Sequence, residues 1–312
     1  MTTAIGRPKL NPVHCPTDRR FRVWVRPAFL LTLIAAALLP LAAACVQFLS
    51  AGLPPLPIGP PVSAESIAAA SGFPAWLRLT HYVNFLFLVL LIRAGLSILM
   101  DHPRLYWNDH CTPGSEWIRF TPLAVPTDRV WTAKDDARYI SPWLALPGYR
   151  HTVGMARHWH LLSALFWFTN GLTFVVLLLG TEHWTRLVPA SWQIVPDAWA
   201  VFVHYATLHM PAEPDTFYRY NALQQLSYLG VVFVMAPLSA MTGLAMSPAI
   251  DSRFRWYPKL FGNRQSARSI HFLLLLGWLG FLVVHVLMIM VTGFARNMNH
   301  IVMGTATPAR SG

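Results

Sequence analysis

The stretch RSIHFLLLLGWLGFLVVH at residues 268–285 decides how this chain folds. No charged residue lies between its two histidines, and the apolar run continues to about residue 294, long enough to cross a bilayer as a helix. His271 and His285 are fourteen residues apart. On a helix that spacing is a rise of about 21 Å and a rotation that closes to within about 40° of one face. Both imidazoles therefore look into a helical bundle, one near each membrane surface. An imidazole taken out of water is costly unless both ring nitrogens are satisfied. Metal ligation on one and a hydrogen bond on the other does that.

The rest of the chain supports a membrane reading. Of 312 residues, 54% are apolar and only 12% are charged, about half the charged share of a soluble domain. That excludes a well-solvated enzyme and a disordered chain. Further apolar runs lie at about 28–49, 79–100, 158–180 and 222–246, which with about 269–294 makes five expected spans. The segment AWAVFVHYATLHM at 198–210 is too short to span and is expected to be interfacial or re-entrant. LPPLPIGPP at 53–61 is expected to form an exposed extended loop. The expected organisation is a basic arm (1–26), an extra transmembrane helix (27–49), a bundle domain (75–296) and a tail (297–312).

The net charge is +11, but the basic residues sit between apolar runs, where they set membrane orientation rather than bind nucleic acid. Eighteen of the 24 lie in the arm, in 101–157 and in 247–268. This places the N-terminus in the cytoplasm and the C-terminus in the periplasm of a bacterial inner membrane. A cleaved signal sequence, with LAAAC ending at Cys45, is the alternative for the first run; a 26-residue basic region and Pro40 argue against it. Cys15, Cys45 and Cys111 form no CxxC or CxxCH, which argues against covalent c-type haem attachment and a cysteine zinc knuckle. No nucleotide-binding glycine motif is present.

The remaining histidines pair by depth. His81 begins the second run and lies on the outer side with His285. His158 and His160 begin the third and lie on the inner side with His271. Two facing pairs, one per leaflet, make two six-coordinate sites for a planar macrocycle, the form of bis-histidine haem in a bundle. His158 and His160 are about 200° apart around a helix, so only one faces the core. Arg93, twelve residues after His81, is placed to meet a propionate of the inner group; the bland reading is a side chain snorkelling to the interface. HPRLYWNDHC at 102–111 is read as a packed loop, with a metal cluster as its alternative. His204 and His209 read as histidines of an amphipathic surface helix at least as well as anything else.

These residues resemble the bacterial di-haem cytochrome b family, the membrane cytochrome b subunits of nickel–iron hydrogenase, formate dehydrogenase and thiosulfate reductase. The resemblance covers about 75–296 and rests on RLTHYV at 78–83 with Gly95, ARHWH at 156–160, and RSIH at 268–271 followed by Phe281 and His285. It favours His160 over His158, with Arg157 as a further propionate partner. Tyr82 and Arg93 depart from the family pattern, and the extra N-terminal span reverses the bundle. The resemblance implies an all-α membrane protein, a four-helix haem-binding bundle plus one added helix. It also implies two non-covalent b-type haems on His81, His285, His160 and His271, with quinone as diffusible partner and His204 and His209 as outer-side candidates for its pocket. It further implies a catalytic oxidoreductase subunit, in the thiosulfate reductase type a molybdopterin enzyme. The chain would then carry electrons and break no substrate bond itself. The rival readings are a stand-alone transmembrane haem reductase and a histidine-dependent ion transporter.

Overall fold

The computed structural model describes residues 24–25, 38, 42–54, 56, 72–121, 126–130, 132–138, 140–146, 153–209 and 220–304. Nearly all of the basic arm, the first part of the expected N-terminal span, most of the proline-rich stretch, and the tail after Gly304 lie outside them. Of the first span, a helix α1 over Ala42–Ala51 is described. The helices that follow are α2 (Ala75–Asp101), α3 (Val153–Gly180), α4 (Ile194–Ala206), α5 (Ala222–Ala245) and α6 (Arg264–Val291). All of these but α4 are long and apolar enough to cross a membrane.

Three of the four long helices begin four or five residues before the apolar runs that announce them. Hydropathy sees only the lipid-facing length, whereas helix propagation continues through polar first turns that reach the interface. Asparagine caps fix the starts of α6 and α5. The Asn263 side chain accepts from the backbone N–H groups of Gln265 and Ser266, each at 2.8 Å. Asn221 and Gln224 form a reciprocal capping box. α6 stops at Val291, short of the expected 294, because Gly293 turns the chain at φ 110°. Asn297 and Arg296 then donate to the carbonyls of Ile289 and Thr292. The chain folds back over α2, where Arg78 donates to the Val302 carbonyl at 2.8 Å.

The spans pair two by two. α2 and α3 run closely along each other, and the second half of α5 packs along α6. Asn170 donates to the Thr80 carbonyl (3.0 Å) across the first pair, and Trp278 donates to the Ser239 hydroxyl (3.1 Å) across the second. α5 carries one widened π turn at Val231–Met235, just ahead of Pro237, whose ring nitrogen cannot donate to the preceding turn.

The segment after α2 is a small folded unit at the end of the bundle where α2 stops and α6 starts. Two-residue strands β1 (Trp24–Val25), β2 (Arg104–Leu105) and β3 (Ile118–Arg119) form an antiparallel sheet in the order β1-β3-β2. Leu105, Trp117, Ile118 and Phe120 bury against Leu99, Met100 and Phe272. Arg104, itself buried, is held by both oxygens of Asp136 and lies 3.4 Å from Glu116. Polar side chains at the start of α6 staple this unit down: Ser266 and Ser269 donate to the carbonyls of Trp107 (2.7 Å) and Tyr106 (2.6 Å). Arg268 donates to the carbonyls of His102 and Arg104.

Candidate metal centres

A repeat of seven residues positions the site. On α6, His271, Trp278 and His285 stand at successive sevens; so do His81, Leu88 and Gly95 on α2, and His160 and Trp167 on α3. Seven residues are close to two helical turns, so each set shares a face in steps of about 10.5 Å. The bundle is thereby layered. His81 meets His285 at one level, with ring centroids 6.3 Å apart, and His160 meets His271 at the other, 6.2 Å apart. Between the levels, Leu88, Trp167 and Trp278 form a buried layer. The two indoles meet edge to face at 5.7 Å.

These separations test what the pairs can hold. Two imidazoles bound on opposite sides of one metal ion, with bonds of about 2.0 Å, set their ring centroids about 6.3 Å apart. Both pairs meet that value. Each contributes two neutral nitrogen ligands and no carboxylate or thiolate. Among the described residues no group of three His, Cys, Asp or Glu is close enough to bind a metal. Two imidazoles alone do not complete a zinc site, but they do complete the axial positions of a planar macrocycle. Small residues flank the inner pair. A Cβ on Gly95 would lie 3.5 Å from His160 Cε1, and one on Gly243 would lie 3.7 Å from His271 Cε1.

Hydrogen bonds settle the inner tautomers. His160 Nδ1 lies 3.2 Å from the Leu91 carbonyl, which only accepts, so Nδ1 carries the proton and Nε2 the lone pair. His271 Nδ1 lies 2.9 Å from the Thr242 hydroxyl. That hydroxyl gives its single proton to the Leu238 carbonyl at 2.7 Å. It must therefore accept from His271, whose Nε2 is likewise the lone pair. The outer pair is walled differently. Phe281 stacks on His285 at 5.5 Å, Tyr228 meets it edge-on at 6.5 Å, and Tyr82 packs beside His81.

The other expected residues are placed as follows. His158 is exposed, whereas the His160 ring faces His271. Arg157 lies against His102, with Nη2 3.2 Å from Nε2. Arg93 is hydrogen-bonded within the chain. Its Nε and Nη2 donate to the Ala145 carbonyl and Nη2 also to that of Pro142, so it clamps the loop before α3. The reason is local: the loop 141–146 lies over α2 and its carbonyls have no helix to bond within. His204 Nε2 donates to the Pro54 carbonyl at 2.7 Å, and His209 Nδ1 donates to the Thr207 carbonyl at 2.9 Å. Thr242 and the Leu91 carbonyl were not found from the sequence. A lone threonine in an apolar span is its only signal there, and a backbone carbonyl has none.

Comparison with known proteins agrees with this chemistry. Residues 72–304 match the family model described as prokaryotic cytochrome b561. A protein of Azospira oryzae named as a protein-methionine-sulfoxide reductase subunit, YedZ1, is 24% identical over 223 residues, covering 69% of this chain and 88% of that protein. No solved structure matches the chain.

Proposed function

This chain belongs to the prokaryotic cytochrome b561 family, and from that premise we propose that it holds two b-type haems and passes electrons between the quinone pool and a catalytic oxidoreductase subunit. That it is a membrane haem-binding electron-transfer protein follows from the family itself. The finer reading rests on one observation: two histidine pairs, with ring centroids 6.3 and 6.2 Å apart, stand two heptads apart along a single helix.

His81 and His285 hold the outer haem, and His160 and His271 the inner one. When bound, the groups supply reversible one-electron chemistry. The protein supplies the rest. Two imidazoles per site leave no open coordination position for oxygen or substrate. The Leu88–Trp167–Trp278 layer keeps water and ions out of the space between the sites. The folded segment from Arg104 to Phe120 covers the inner end, with Phe272, next to His271, in its apolar core. Arg157, one turn before His160, is the propionate partner on that side.

The relative's name as a reductase subunit supports a separate catalytic partner. A molybdopterin enzyme is the class that the thiosulfate reductase resemblance implies. The N-terminus and the folded segment face the cytoplasm, as the distribution of basic residues indicates.

A reduced-minus-oxidised spectrum with a pyridine haemochrome count per chain tests the reading. Two haems are expected in the wild type, one in His271→Ala and one, spectrally distinct, in His285→Ala. A folded protein that stays colourless when made with haem in excess overturns it. So does a single substitution that removes both haems while the fold persists.

A further inference from the structure

The two histidine pairs are not equivalent, and the difference lies in what holds the ring nitrogen turned away from the metal. On the inner pair both Nδ1–H groups are anchored. His160 donates to the Leu91 carbonyl (3.2 Å), and the His271 ring lies against both the Thr242 hydroxyl (Nδ1 at 2.9 Å) and the Ser239 backbone carbonyl. Thr242 is 0% exposed, and its hydroxyl proton is committed to the Leu238 carbonyl, with the Ser239 carbonyl 3.2 Å away. The hydroxyl cannot rotate to serve any other acceptor without giving up its own helix bond. Gly243, the next residue, stands beside the same ring: a Cβ there would lie 3.7 Å from His271 Cε1. On the outer pair no described residue hydrogen-bonds either imidazole; the rings of Phe281, Tyr228 and Tyr82 hold them by contact alone.

We propose that the inner pair is the preorganised, high-affinity haem site and that Thr242 is its positioning residue, fixing the His271 tautomer and raising its basicity toward iron. The inference rests on the ligand pairs proposed above. A donated Nδ1–H fixes which nitrogen bears the lone pair and pushes electron density onto it. A ligand already locked in its binding form loses less freedom when it binds. The outer histidines must select both tautomer and rotamer as the haem enters. With haem bound, greater electron density on His271 Nε2 would also favour ferric over ferrous iron, so the same bond would hold the inner potential down.

The experiment uses the full chain in nanodiscs. His271→Ala and His285→Ala first assign each spectral and potentiometric component to its pair. In wild-type protein made under limiting haem, the component that His271→Ala removes is expected to fill first. Thr242→Val keeps the side-chain volume and removes the hydroxyl acceptor while leaving the Ser239 carbonyl in place. It is expected to weaken haem retention at that component by about 10–100-fold, the usual cost of an outer-shell bond, and to move its potential upward. The His285 component is expected to stay in place, and Thr242→Ser to restore both properties. A merely structural role for Thr242 would not shift one potential and spare the other. Filling of the outer component first overturns the inference, as does a Thr242→Val protein with unchanged retention and potential at the inner one. Loss of no haem in either alanine variant overturns the ligand reading instead, and is recognised before any Thr242 variant is measured.

Discussion

At the scale of single residues, His102 shows how a side chain just beyond a membrane helix acquires a pH-dependent role. Its Nε2 lies 3.2 Å from Arg157 Nη2, so the neutral ring accepts a bond from a guanidinium. Burial is the first reason its pKa falls below the ordinary value; the charges of Arg268 and Arg157 push the same way, and Asp101 opposes them. A base whose pKa is lowered by folding stabilises the fold fully above its unfolded value of about 6.5 and loses that contribution as pH falls through the folded value. The junction between α2 and the inner folded segment is therefore expected to weaken on acidification. Thermal unfolding of wild type and His102→Gln between pH 7.5 and pH 5.5 checks this, since glutamine keeps an acceptor for Arg157 but does not titrate. Wild type should lose more stability than the variant; equal losses would show that His102 carries none of the effect. Arg93 illustrates the opposite limit of residue-level reading. A charge in an apolar run announces that it has a partner. Which partner depends on where the Pro142 and Ala145 carbonyls fold, and no spacing along the helix contains that.

At the scale of elements, the histidine spacing was legible because a helix converts sequence distance into direction and depth with few free parameters. The seven-residue steps that place His271, Trp278 and His285 on one face were all present in the string. The π turn before Pro237 was not. A proline in a span says that the hydrogen-bond ladder is interrupted, but not how the turn repairs it. Here the widened turn delivers Met235 toward α6, where a Cβ on Gly277 would lie 2.9 Å from Met235 Cε. The central layer gives this packing a measurable weight. Trp278 is 7% exposed, meets Trp167 and Phe281, and donates to Ser239. Inside lipid, helices associate through such packing and bonding, without a hydrophobic drive. Trp278→Ala is expected to cost about 3–5 kcal/mol, the range for deleting a buried aromatic ring. Trp278→Phe should recover most of it, losing chiefly the bond to Ser239. Unfolding by a denaturing detergent measures both. An alanine variant as stable as wild type would mean that the layer fills space without binding the two helix pairs together.

At the scale of the whole molecule, composition and charge declared a multi-pass membrane protein, but not which spans lie side by side. The close pairing of α2 with α3, and of α5 with α6, is decided by contacts such as Asn170 to Thr80 and Trp278 to Ser239. The small sheet was equally hidden, because strands of two residues leave no period to detect and β1 comes from the far side of the first span. Its position nevertheless sharpens the orientation argument. The segment 101–157 holds seven basic residues. Arg104 is neutralised within the fold by Asp136 and Glu116. A partly internal charge weighs less in setting topology than a free one, yet strand β1 ties this segment to the arm, so both must lie on one side of the membrane. Two exposed positions probe the arrangement, Thr112 in this segment and Ser191 in the connection before α4. In a background without Cys15, Cys45 and Cys111, Ser191→Cys should react with a membrane-impermeant maleimide on intact spheroplasts, and Thr112→Cys only after lysis. The reverse pattern would invert the molecule and put the His160–His271 pair on the periplasmic side. Labelling of both positions before lysis would mean that α3 does not cross the membrane, and would remove the basis for assigning one histidine pair to each leaflet.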